Sequence, residues 1–337
     1  MNLIQNTIIA ILLAFWPASR GQQTLESSSP VPLKKDLYEL VRDWPKLPDG
    51  FVLGNPVGLG IDSDQNLIVF HRADRVWTEP MATAKIGKNT ITKIDGKTGE
   101  LLNSWGGNLF VMPHGLEVDG EDNVWVTDVA LHQVFKFSKD GKLLMALGEA
   151  GVHGADPGHF YLPTDIAVTP DGSFYVSDGY GNSRVVKYSR EGKYLFEWGT
   201  FGTGHGQFNT PHGIDLDKEG NVYVADRENN RIQKFDPDGN FLAAWQNKGT
   251  DQLYSVAIDT TREHLFGIDY WIIGDTLPKG SDIFRFDLGM HVQCQFGRTG
   301  GYDGPVTRYH DIAIDREGNL YTGDILGNRI QKFRLKK

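Results

Sequence analysis

One cysteine, Cys294, is all that the 337 residues contain. An intrachain disulfide is thereby excluded, so the fold must rest on its core or on bound metal. Cys294 sits in the alternation Val292, Cys294, Phe296, which predicts a small buried apolar residue rather than a reactive thiol. Long apolar runs are also missing. The run Ile8–Trp16 is followed by Pro17, Ala18, Ser19, Arg20 and Gly21. It is too short to span a bilayer as a helix. Although no Lys or Arg precedes it, it reads as a secretory signal over 1–21, cleaved near Gly21. No cysteine lies near that point, so a lipid anchor is not supported. Basic runs are absent too, and the net charge is −9. That balance disfavours nucleic acid as a partner. No Asn-x-Ser/Thr sequon occurs.

Glycine, by contrast, is plentiful at 40 residues, as a chain with many turns requires. The turns punctuate an internal repeat. Four copies align: MPHGLEVDGEDNVWVTD from Met112, LPTDIAVTPDGSFYVSD from Leu162, TPHGIDLDKEGNVYVAD from Thr210 and RYHDIAIDREGNLYTGD from Arg308. Two divergent copies begin near Pro56 and Leu253. Each copy alternates β-branched and aromatic residues between Asp-Gly-type turns, which predicts four short strands. Six such units predict an all-β, six-bladed β-propeller. The sixth copy stops after its third strand at Lys337. The segment 36–47, with Tyr38, Leu40 and Trp44, is expected to supply the missing strand and close the ring. The domain assignment is therefore a signal at 1–21, a flexible leader at 22–32 and one propeller at 33–337. Insertions at 78–89 and 271–280 are expected on a propeller face near the channel mouth.

One repeat position, at the start of strand one, is occupied around the ring by Val57, His114, Thr164, His212, Tyr254 and His310. Histidine fills the even blades only, at equal spacings of 98 residues. Histidine makes up 10 of 337 residues, so three chosen positions would all be histidine by chance with probability on the order of 10⁻⁵. Six-fold closure relates the three by a pseudo-threefold axis at the channel centre. Three converging neutral imidazoles suit a metal, best zinc, with one coordination position left open for chemistry.

A second repeat position follows strand two. The recurring Asp128, Asp178, Asp226, Asp269 and Asp324 there read as residues that fix the blade. Arg72, Tyr180 and Arg227 break the repeat and are the informative ones. Two arginines beside a metal suggest an anionic substrate group. Tyr180 would serve as a general base if the metal and arginines depress its pKa.

At these residues the chain resembles the peptidyl-α-hydroxyglycine α-amidating lyase family, a six-bladed propeller of the NHL-repeat type. The stretches that carry the likeness are FHRADRVW, LFVMPHGLEVD, VTDVALHQVFKF, PTDIAV, VSDGYGNSR, GQFNTPHGI, ADRENNRIQ and HDIAID, within residues 40–335. The resemblance implies a carbon-nitrogen lyase that cleaves a peptidyl-α-hydroxyglycine, or a related N-acyl carbinolamide, to an amide and glyoxylate. It implies that His114, His212 and His310 hold the catalytic zinc. Tyr180 would take the hydroxyl proton, and Arg72 and Arg227 would orient the substrate and its carboxylate. A structural calcium would be held by the Asp311 side chain and the carbonyls of Leu59 and Leu116, an oxygen set that suits calcium. The chain departs from the animal members in three ways. Gly181 follows Tyr180 where they carry cysteine. The resemblance does not extend to their copper-dependent hydroxylating domain. Arg308 stands where they have methionine, which bears on substrate preference. A secreted or periplasmic monomer with a small peptide or acyl-hydroxyglycine substrate and no stable membrane anchor is the resulting expectation. A propeller lactonase and a non-catalytic protein-binding propeller remain as alternatives.

Overall fold

The computed structural model describes residues 23–26, 37–247, 252–273, 277–297 and 306–336. These form six antiparallel sheets arranged as the blades of a propeller, as the repeat predicts. Blades one to three have innermost strands Pro56–Ile61, Pro113–Val118 and Asp165–Val168; those of blades four to six are Pro211–Leu216, Gln252–Asp259 and Tyr309–Ile314. The only helix among the described residues is a 3₁₀ turn at Arg227–Asn229. No helix there is long and apolar enough to cross a membrane.

The core consists of six apolar layers, one between each pair of neighbouring blades. Phe70 and Ile91 of blade one meet Leu116, Val126 and Phe137 of blade two, for example. Tyr223, Ile232 and Trp245 of blade four meet Val256, Leu265 and Phe286 of blade five. Alternation along each strand gives both faces of a blade an apolar set, so each blade needs two neighbours to cover it. Cys294 is buried, as its alternation predicts.

Polar repeats hold each blade together. Trp125 Nε1 and the Tyr223 and Tyr321 hydroxyls donate to Asp119, Asp217 and Asp315 at 2.9, 3.1 and 2.9 Å. Lys136 and Lys234 lie over the first two of those rings, 4.7 and 4.8 Å from their centroids. The recurring aspartates at the ends of second strands bind backbone and arginine. Asp178 and Asp226 pair with Arg184 and Arg231 at 3.0 and 2.7 Å. Asp128 accepts from the backbone of Val111 at 2.7 Å. These residues fix blades, as expected of a repeated feature.

Tyr38–Leu40 pairs with blade six, opposite Phe333–Leu335, and closes the ring as anticipated. Tyr38 also stacks on Phe296 of blade five, at 5.1 Å. One difference concerns the leader assigned to 22–32. Within it, Gln23–Glu26 runs parallel to Phe241–Gln246 as a fifth strand on the outer edge of blade four. An outer strand with unpaired backbone groups is a template for such an addition. The remaining leader residues and the 1–21 signal lie outside the described residues.

Candidate metal centre

Five of the six blades carry a β-bulge at the first turn of the inner strand. The register shifts fall between Pro56 and Gly58, Pro113 and Leu116, Pro211 and Gly213, Leu253 and Ser255, and Tyr309 and Asp311. Each of the three histidines lies inside one. A bulge re-aims a side chain that regular pleating would commit to one sheet face. Here it brings all three imidazoles together, with ring centroids 4.6, 4.7 and 4.9 Å apart. One ligand atom from each lies within 4.8 Å of the others, and all three residues are buried.

The orientation is set by the odd blades. His114 Nδ1 meets the Thr164 carbonyl at 2.7 Å, His212 Nδ1 that of Tyr254 at 2.6 Å, and His310 Nδ1 that of Val57 at 2.9 Å. These accepting carbonyls belong to the residues that occupy the histidine position in blades three, five and one. Nδ1 must carry the proton to donate, which leaves the Nε2 lone pair free toward the axis. Burial holds each imidazole well below its ordinary pKa, with help from Arg72 at His114, Arg227 at His212 and the neighbouring imidazole at His310. The three are neutral, the form that binds a metal. Gly115 makes the closeness possible: a Cβ there would meet the Thr164 carbonyl oxygen at 2.5 Å.

The structure brings Tyr180, Arg227 and Arg72 to this cluster. The Tyr180 hydroxyl lies 3.1 Å from His114 Nε2 and 3.0 Å from His212 Nε2, and it accepts from Arg227 Nη1 at 3.1 Å. Tyr180 reaches that place because its flanks are glycine. A Cβ on Gly179 would sit 1.9 Å from the Pro211 carbonyl oxygen, and one on Gly181 would sit 2.2 Å from the Tyr161 ring. Arg72 is buried, donates from Nε to the Pro113 carbonyl at 3.1 Å and lies over Trp77. Burial lowers its guanidinium to about 10, which leaves it charged at neutral pH. The expected depression of the Tyr180 phenol is not met by the protein alone. Burial raises its pKa above 10.0, and Arg227 and Arg72 offset that only in part.

Four further neighbours complete the site, of which only Tyr254 stood out in the repeat, as the blade-five occupant of the histidine position. Glu228 pairs with Arg227 at 2.7 Å. Trp77, at the edge of the blade-one insertion, packs on Tyr180 at 5.4 Å. Tyr254 receives Arg227 and Arg308 over its ring. Tyr270 stands beside Arg308. Trp77 and Tyr270 are found only through their three-dimensional contacts. The upper cavity, about 420 Å³, is lined by Arg72, Trp77, Tyr180, Arg227, Tyr254 and Arg308, among others. In blade five, the second strand turns back at Leu277–Gly280 as a short hairpin.

Leu59, Leu116 and Asp311 do not join this site. They line a second cavity of about 540 Å³ with Glu117, Asp165 and Asp215. Asp311 accepts from the Leu59 backbone N–H and the Ser255 hydroxyl, both at 2.7 Å. A narrow space lined by the histidines, Asp165 and Asp311 lies between the two cavities. Burial pushes Asp311 and Asp215 up to about 7, and it raises Asp165 and Glu117, which also feel their acidic neighbours. Crowded carboxylates of this kind favour a hard cation.

The NHL repeat model matches residues 160–188 and 208–235. Peptidylglycine alpha-amidating monooxygenase of Rattus norvegicus is 38% identical over 316 residues, covering 87% of this chain and 31% of the relative. The chain thus spans about a third of the length of the long amidating monooxygenases that it matches. A Caenorhabditis elegans protein named as a probable peptidyl-alpha-hydroxyglycine alpha-amidating lyase is 31% identical, covering 84% of this chain and 83% of the relative. NHL repeat-containing protein 3 of Homo sapiens, whose name states no activity, is 36% identical over 89% of this chain and 85% of its own length. Among solved structures, virginiamycin B lyase from Staphylococcus aureus superimposes with a TM-score of 0.57 at 13% identity, over 85% of this chain and 98% of the other; that likeness concerns the fold. With the six blades and the three-histidine cluster in place, the identity shared across almost the whole nematode protein makes this chain a member of the peptidyl-α-hydroxyglycine α-amidating lyase family.

Proposed function

We propose that this chain is an exported zinc-dependent lyase that converts a peptidyl-α-hydroxyglycine, or a related N-acyl carbinolamide, into the amide and glyoxylate. The observation that carries the reading is the Tyr180 hydroxyl, within 3.1 Å of two histidine Nε2 atoms and of Arg227. The donor set fits zinc: three neutral imidazoles on Nδ1–H···O=C tethers, with a cavity open beside them. When bound, the ion would act as a Lewis acid on substrate oxygen and add positive charge beside the phenol.

The chain's own groups account for the rest. Arg72 and Arg227 take the hydroxyglycine carboxylate as charge-assisted hydrogen bonds. Tyr180, as phenolate, accepts the proton of the α-hydroxyl. The oxygen lone pair then forms the C=O bond of glyoxylate as the C–N bond breaks. The departing amide nitrogen takes up a proton, so one proton moves from oxygen to nitrogen overall. Trp77 packs on the phenol and limits water. Calcium in the lower cavity, held by Asp311 and the carbonyls of Leu59 and Leu116, would relieve the repulsion among the four acids and brace the inner strands.

The test is glyoxylate release from α-hydroxyhippurate by protein of known metal content, with and without chelator. Release that follows zinc occupancy supports the reading. A zinc-loaded protein that releases none, or one that purifies with no affinity for metal, sinks it in favour of a binding propeller. Export over 1–21 is checked separately, by N-terminal sequencing of protein recovered outside the cytoplasm.

A further inference from the structure

Three arginines line the upper cavity and no carboxylate does. Arg227 is neutralised by Glu228 at 2.7 Å. Among the described residues, neither Arg72 nor Arg308 has a carboxylate within ion-pairing distance of its guanidinium. The proposed substrate brings one carboxylate, for Arg72 and Arg227. That leaves the charge of Arg308 unanswered.

Arg308 is also held in place. Its backbone N–H is fixed by Asp324 at 2.8 Å. Its guanidinium packs 4.7 Å from the Tyr270 ring centroid and 5.4 Å from that of Tyr254. Nε donates to the Tyr254 hydroxyl at 3.2 Å and Nη2 donates to the same oxygen. Nη1 has no protein partner among the described residues. Arg227 stands over the same Tyr254 ring at 5.2 Å, so one phenol spaces the two guanidiniums. Aromatic faces immobilise a guanidinium without cancelling its charge, and that lowers the entropy cost of receiving an anion.

We infer that the substrate carries a second anionic group on its acyl side, received by Arg308. This rests on the lyase reading. The substrate class is a peptide with an acidic residue directly before the hydroxyglycine. Arg308 acts as a specificity residue.

The test uses two isosteric pairs on the full, metal-loaded chain. N-acetylglutamyl-α-hydroxyglycine is compared with its glutaminyl counterpart for kcat/KM. The unreactive N-acetylglutamylglycine and N-acetylglutaminylglycine are compared for Kd by calorimetry. The acidic member is expected to be favoured about tenfold in both pairs, mainly in KM for the reactive one. Arg308→Met is expected to bring both ratios to about one, and Arg308→Lys to keep part of the preference. Equal handling of the two charge states by the unaltered protein overturns the inference and needs no variant. So does a preference that survives Arg308→Met. Glyoxylate release without charge preference removes only the role of Arg308. Absence of release with full metal occupancy removes the lyase reading, while the calorimetric ratio still reports on Arg308.

Discussion

A phenol in water loses its proton near pH 10, and burying it makes that loss harder. Tyr180 is buried; Arg227 donates to its oxygen and favours a phenolate, while the two Nε2 lone pairs beside it accept from the protonated phenol. Replacing it tests the assignment directly. Tyr180→Phe is expected to lower kcat at least 100-fold, the usual scale for losing a proton-transfer group, with zinc content by elemental analysis unchanged. His212→Ala should instead lose the metal, because two imidazoles make a far weaker site. Full occupancy in that variant would overturn the ligand set. His71 illustrates the opposite use of burial. It accepts from the Ala73 backbone N–H and holds Thr92 with its other nitrogen, and burial lowers its pKa to about 4. The unfolded chain protonates this side chain near 6.5, and the fold resists doing so. Between pH 6.5 and 4 the unfolded state therefore binds more protons, and stability falls as pH falls. The loss is on the order of 3 kcal/mol. Urea titrations across that range should show a flatter pH dependence for His71→Gln.

At the scale of the element, the inner strand is the unit that builds the site. Its bulge turns the histidine inward, and in blade two the following Gly115 admits the next blade's carbonyl. Gly115→Ala would force a methyl group into the Thr164 carbonyl. A cost of about 1–3 kcal/mol is expected, together with weaker zinc retention, because the displaced carbonyl is the one that orients His114. Measuring the thermal midpoint and metal content of one preparation checks both. Blade six shows the same dependence on a partner strand. Tyr38→Ala strips the stacking on Phe296 and loosens the closing strand, and the urea midpoint should drop by the equivalent of about 2–3 kcal/mol.

For the whole molecule, closure decides what the repeats can do. The repeat period, the turn residues and the alternation of apolar side chains were enough to identify six blades, the closing strand and three histidines that converge on the axis. All of these are local patterns, and pseudo-symmetry turns equal spacing along the chain into convergence in space. The same patterns said nothing of the bulges, because a bulge is an extra residue judged against a partner strand. They did not mark Trp77 or Tyr270 as site residues, since those groups meet the site only through contacts between blades. The sequence suggested that a metal and the arginines together would acidify Tyr180; of that pair, the arginines' share is outweighed by burial in the folded chain. Desolvation has no signature in local sequence; it depends on how many atoms from distant segments exclude water. Sequence alone determined which side chains recur around the axis. Tertiary structure decided which way they point, which tautomer they hold and how much water reaches them, because those properties belong to the closed ring.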